Sequence, residues 1–177
     1  MEKSDYLSGV NFGLPHSCKV HRLANIAGQV IAGENCRIDA FVTVTGRVKL
    51  GDCVHLSTGS AIFGTHGVEI GRGCSLSPGA KIFTATDDIH SDALANPQLH
   101  GREDKCGGVR MGEFSVVGAN SVVLPNVTIG NQVQVGANAV IRTDVPDNQV
   151  WVGNPGHYLC PRATLDIQKI MGDEVTQ

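Results

Sequence analysis

From Ile26 to Ile62 every sixth residue is apolar: Ile26, Ala32, Ile38, Val44, Leu50, Leu56 and Ile62. The series resumes after a two-residue slip at Ile70, Leu76 and Ile82, then again at Met111, Val117, Val123, Ile129, Val135 and Ile141. All sixteen positions are apolar in a chain that is 41% hydrophobic, so composition does not account for the pattern. Four residues later stands, in nearly every case, a small or β-branched residue, among them Cys36, Val42, Val54, Cys74, Ala80, Thr86, Ser115, Ser121, Val133 and Ala139. A strand points alternate side chains to opposite faces, so an aliphatic residue and the small residue two places before it share one side. Three hexads make one triangular coil of about 18 residues, and stacked coils bury a continuous core. The expectation is an all-β solenoid of about five coils over residues 25–158, with Gly and Asn at its corners supplying positive φ.

Outside that range the period stops. Residues 1–24 read as a non-repeat cap on one end. At the other, Pro161 followed by Ala163, Leu165, Ile167, Ile170 and Met171 predicts a short amphipathic helix within 159–177. The period is also broken twice inside. Ile82 and Met111 are 29 residues apart where 6 were due, which makes 83–108 an excursion rich in polar and charged residues. The two-residue slip falls at Gly64-Thr65-His66-Gly67, at the same corner one coil earlier. Regular coils are scaffold, and a long insertion in a compact fold is commonly functional, so two stacked breaks mark a site.

Charge and composition narrow the function. Lys and Arg total 14 against 17 Asp and Glu, a net charge of −3 with no basic stripe, which argues against a nucleic-acid partner. No apolar run approaches the ~20 residues of a membrane helix. The start lacks the basic-then-apolar plan of a secretory signal, so a cytoplasmic location is expected. Six scattered Cys read as free thiols, with Cys36 and Cys74 on the inward small position as core residues. Neither CxxC nor HExxH occurs, and no metal is expected.

The period together with Val117-Gly118-Ala119-Asn120, Val123-Leu124-Pro125-Asn126-Val127-Thr128-Ile129-Gly130, Asp144-Val145-Pro146 and Val152-Gly153-Asn154-Pro155 resembles the hexapeptide-repeat acyltransferases, bacterial sugar O- and N-acetyltransferases. The resemblance implies a left-handed parallel β-helix, a homotrimer, and acetyl-CoA as co-substrate in a groove between neighbouring prisms. In that family the protruding loop reaches toward a neighbouring subunit. Asp87-Asp88-Ile89-His90, Leu94-Ala95-Asn96-Pro97, Arg37-Ile38-Asp39 and Val54-His55-Leu56 resemble a subgroup acting on surface-polysaccharide sugars. The implied acceptor is a sugar or nucleotide-linked amino or deoxy sugar for lipopolysaccharide or capsule.

Such a transfer needs a general base and an oxyanion site, and His is the side chain that titrates near neutrality. Related acetyltransferases carry a His where this chain has Asp87. His55 precedes the inward Leu56, so alternation turns it outward. It leads as the candidate base, with His66 in the slip and His90 in the excursion as alternatives. Asp87 is the second catalytic candidate, and Asp39 could fix the tautomer of His55. Asp39, His66, Asp88, His90 and Asn96 are candidate acceptor contacts. The resemblance assigns the coenzyme to the small corners Gly118, Ala119 and Ala137, with Arg142 and Arg162 toward its phosphates. Competing readings are a scaffold that uses the solenoid as a rigid prism, and a γ-type carbonic anhydrase. The latter needs three zinc-binding His and leaves the long excursion unexplained.

Overall fold

Residues 5–87 and 104–172 are described in the computed structural model. They form a three-faced parallel β-solenoid, the left-handed β-helix architecture. On the first face seven parallel strands stack: Lys19–His21, Arg37–Ile38, His55–Leu56, Ser75–Leu76, Val116–Val117, Gln134–Val135 and Gln149–Val152. The strands Asn25–Ala32, Thr43–Leu50 and Ala61–Ile70 each bend over the edge between the second and third faces, continued by Lys81–Phe83, Val109–Met111 and the short strands of later coils. Stacking is in register, with Ile38 beside Leu56 and Leu56 beside Leu76.

The hexad positions are the core. Ile38, Val44, Leu50, Leu56, Ile62, Ile70, Leu76, Ile82 and the later members are all buried, while Ile26 and Ala32 pack against them half-exposed in the first coil. There are about six turns rather than five, because the phase reaches back six residues from Ile26 to the fully buried Val20. Its strand Lys19–His21 lies parallel to Arg37–Ile38, inside the segment expected to be cap. The strand Tyr6–Ser8 then closes that end antiparallel.

The small inward column behaves as expected except at Thr86. That residue belongs to a short antiparallel ladder, Ala85–Asp87 against Asp104–Cys106, which forms the foot of the excursion. It is Thr84 that is buried. Cys36 and Cys74 do line the core, and burial pushes both thiols up to about 12. Ser115 and Ser121 are buried too, their hydroxyls bridging successive coils: they donate to Gly130 O and Gly136 O and accept from Val133 N and Ala139 N. Cys18, Cys36, Cys74, Cys106 and Cys160 are free thiols.

Gly46 shows what the bent edge demands. Its φ is +85°, and a Cβ there would lie 2.4 Å from the backbone of Gly64 in the next coil. No side chain fits. At the C-terminal end the expected helix is only Ile167–Gly172, with none of its residues buried, and Asp166 Oδ1 accepts the Lys169 N–H in its first turn. The end is closed instead by the strand His157–Pro161, antiparallel to Gln149–Val152. Among the described residues no helix is long and apolar enough to cross a membrane.

Candidate active site

His55 lies on the first face as alternation requires, its side chain 40% exposed while Leu56 is buried. One coil earlier, Arg37 and Asp39 flank the buried Ile38, so both leave the core on the outward side. Asp39 is nonetheless mostly covered, and its Oδ2 lies 2.8 Å from His55 Nε2. Its other oxygen, Oδ1, accepts the Tyr6 hydroxyl at 2.5 Å and Arg37 Nε–H at 2.8 Å. Burial alone would raise the Asp39 carboxyl, but the hydrogen bonds from Tyr6, Arg37 and His55 outweigh it and hold the group at about 2. An ionised carboxylate only accepts, so His55 Nε2 carries the hydrogen and Nδ1 keeps the lone pair. This is the arrangement of a His general base oriented by a carboxylate.

The two breaks of the period meet at the edge between the second and third faces. Thr84 binds them together: its hydroxyl donates to Phe63 O and accepts the His66 N–H. Phe63 and Phe83 stack beside it with centroids 5.0 Å apart. His66 is exposed and looks into a cleft of about 380 Å³ whose walls carry Arg47, Lys49 and Arg110. Asp87 is exposed at the end of its strand, paired in register with Asp104. Within one chain, His66 and Asp87 thus stand at a different edge of the prism from His55 and Asp39. Asp88, His90 and Asn96 lie outside the described residues.

The proposed coenzyme positions follow the first face toward the C-terminal coils. Gly118 follows the strand Val116–Val117, stacked two coils beyond His55, with Ala119 half-exposed beside it and Ala137 exposed one coil later. Gly118 has a reason of its own to be glycine, since a Cβ would meet Gly136 and Val135 at 2.6 Å. Arg142 is exposed. Arg162 Nη1 donates to Phe114 O and Val133 O, tying the C-terminal segment to the solenoid, and burial pulls its guanidinium below its usual range.

Sequence reasoning missed Tyr6 as a site residue, and it quoted Arg37 only as part of a motif. Arg37 was findable, since it and Asp39 straddle one inward residue. Tyr6 comes from outside the repeat, 33 residues before Asp39, and carries no local signal. The basic wall of Arg47, Lys49 and Arg110 was equally invisible, because Arg110 joins the strand of Arg47 and Lys49 from two coils later, beyond the excursion.

Residues 108–143 match the bacterial transferase hexapeptide (six repeats) family. WbbJ of Escherichia coli (strain K12), named for O-acetyl transfer in lipopolysaccharide biosynthesis, is 30% identical, covering 76% of this chain and 70% of that one. The chain belongs to the hexapeptide-repeat acyltransferases. It is also similar to the dTDP-4-amino-4,6-dideoxy-D-glucose acyltransferase of Escherichia coli, 26% identical over 74% of this chain and 71% of that protein. Among solved structures, the N-acyltransferase AntD of Bacillus cereus with dTDP and 3-hydroxybutyryl-CoA superposes with a TM-score of 0.87 at 26% identity, covering 98% and 96% of the two chains. A mutant of AntD with dTDP and coenzyme A reaches a TM-score of 0.90 at 24% identity and shares the fold over 98% of both chains. The protein is therefore an enzyme, an acyltransferase.

Proposed function

We propose that this acyltransferase moves an acetyl group from acetyl-CoA to a hydroxyl or amine of a nucleotide-linked sugar used for surface polysaccharide, with His55 as the general base. The observation that carries the mechanism is the His55–Asp39 hydrogen bond on an open face in line with the small corners Gly118, Ala119 and Ala137. The acceptor O–H or N–H gives its proton to His55 Nδ1 as its oxygen or nitrogen bonds the acyl carbon. Asp39 stabilises the imidazolium. The tetrahedral intermediate then collapses, the C–S bond breaks, and the CoA thiolate leaves with the proton from His55. Backbone N–H groups at the corners supply the oxyanion site.

A nucleotide-linked acceptor is supported by the dTDP-sugar relative and by dTDP in the AntD complexes, and a surface-polysaccharide role by the name of WbbJ. Arg47 and Lys49, with the Arg110–Glu69 pair beside them, leave the His66 cleft a net positive charge suited to a diphosphate. Asp87 belongs to the acceptor side of the site, with Asp88, His90 and Asn96. The CoA thioester lies along the first face, with Arg142 and Arg162 toward the phosphate end. Because a single chain separates His55 from the excursion, a homotrimer in which one copy's loop completes its neighbour's site accounts for both.

Thiol release from acetyl-CoA, followed against free sugars and nucleotide-linked amino and deoxy sugars, tests the reading. Turnover with one acceptor names it and shows whether oxygen or nitrogen is acylated. His55→Ala should lower kcat by about 100-fold with CoA binding kept, the usual scale for loss of a general base. Full activity in His55→Ala would remove His55 from the mechanism.

A further inference from the structure

The N-terminal strand Tyr6–Ser8 carries no repeat, yet it delivers a side chain to the centre of the site. We propose that Tyr6 and Arg37 are positioning residues, which turn the Asp39 carboxylate so that Oδ2 receives His55 Nε2–H and Nδ1 becomes the atom that takes the acceptor's proton. This rests on His55 being the base.

Four observations carry it. Both donors bind the same oxygen, Oδ1, at 2.5 and 2.8 Å, so the carboxylate is pinned about its Cβ–Cγ bond with only Oδ2 left for the imidazole. The donors hold each other, since Arg37 Nη2 donates to the Tyr6 hydroxyl at 3.0 Å and the guanidinium lies 5.0 Å from the centroid of the Tyr6 ring. The backbone of Asp39 is fixed by its N–H on Leu56 O. Finally Tyr6 is itself held, edge-on to the His21 ring with centroids 5.2 Å apart and paired in register with it. Tyr6, Arg37, Asp39 and His55 thus form one connected network over three strands and the turn residue Asp39.

The electrostatics give the network a signature. The groups facing the Asp39–His55 pair are Tyr6 and Arg37 on Oδ1, His21 behind Tyr6, Lys19 stacked beside Arg37, and Ser75 on the far side of His55. A donor on Oδ1 draws charge away from the carboxylate and weakens its hold on an imidazolium. Loss of Tyr6 or Arg37 therefore favours protonation of the base, and loss of Asp39 disfavours it. A tyrosine that served only to close the solenoid would lower stability and leave this balance alone.

The experiment is the pH dependence of kcat/KM in the intact protein, with the acceptor found in the panel. Its companions are thermal melting and 15N spectra of the His55 ring, which need no acceptor. Tyr6→Phe keeps the ring and its packing. It and Arg37→Gln should each lower kcat about tenfold, as expected for a lost hydrogen bond to a charged group. They should leave KM for acetyl-CoA near its starting value and move the acidic limb to higher pH. Asp39→Asn should move that limb to lower pH. The wild-type ring should carry its hydrogen on Nε2. An acidic limb unmoved in Tyr6→Phe and Arg37→Gln, whatever their melting temperatures, overturns the proposal while leaving His55 as base. A neutral ring protonated on Nδ1 overturns it as well. Undiminished turnover in His55→Ala overturns both readings.

Discussion

In the proposed mechanism Asp39 orients the base, and its chemistry reaches beyond that role. It is nearly covered, so burial alone would make its charge costly, yet three donors keep it ionised down to about pH 2. In the unfolded chain an Asp titrates near 3.9. The folded value is the lower one, so Asp39 stabilises the fold above about pH 4 and that stabilisation is lost as pH falls from about 4 to about 2. The shift corresponds to roughly 2 kcal/mol. Urea unfolding of wild type and Asp39→Asn should therefore show a gap at pH 5 that narrows toward pH 2.5. A gap independent of pH would mean that the carboxylate is not held ionised by its partners. Asp39 and His55 could be picked out from the sequence, because Arg37 and Asp39 straddle the inward residue stacked on Leu56, which puts Asp39 on the outward side diagonal to His55. That Asp39 has two further donors could not, since one of them arrives from the non-repeat end.

At the scale of the coil, the inward small position tolerates Ser only when the hydroxyl is satisfied. Ser121 donates to Gly136 O and accepts from Ala139 N, bridging two coils. Ser60 occupies the same position on an earlier coil, buried, and among the described residues its hydroxyl finds no partner. The same substitution should thus have opposite signs. Ser121→Ala leaves a buried amide and carbonyl unpaired and should cost about 1–3 kcal/mol, whereas Ser60→Ala removes an unsatisfied hydroxyl and should be neutral or raise stability by about 1 kcal/mol. Thermal melting of the two variants decides it, and equal destabilisation would show Ser60 to be bonded in solution. The hexad period foretold both residues as inward but was silent on which is satisfied. It also misassigned Thr86, because phase counting runs straight through the strand at which the chain leaves the coil.

For the whole molecule the decisive fact is distance around the prism. His55 sits on the first face, while the slip and the foot of the excursion share the edge between the second and third. The proposed homotrimer would join them across an interface, as cyclic packing of three-sided prisms allows. Sedimentation should show a trimer whose activity disappears on dissociation, and a fully active monomer would refute the shared site. What the sequence determined by itself is everything governed by the repeat: the solenoid, its inward columns, the outward turn of His55 and the stacking of the two breaks. Those follow from local alternation and a constant residue count per coil, which need no distant partner. Tertiary structure alone decided the rest. It closed the C-terminal end with a strand instead of a helix, gathered Arg47, Lys49 and Arg110 around one cleft, and brought Tyr6 to Asp39. Each of these depends on where non-repeating segments dock or on side chains from separate coils meeting, and no period in the chain encodes such meetings.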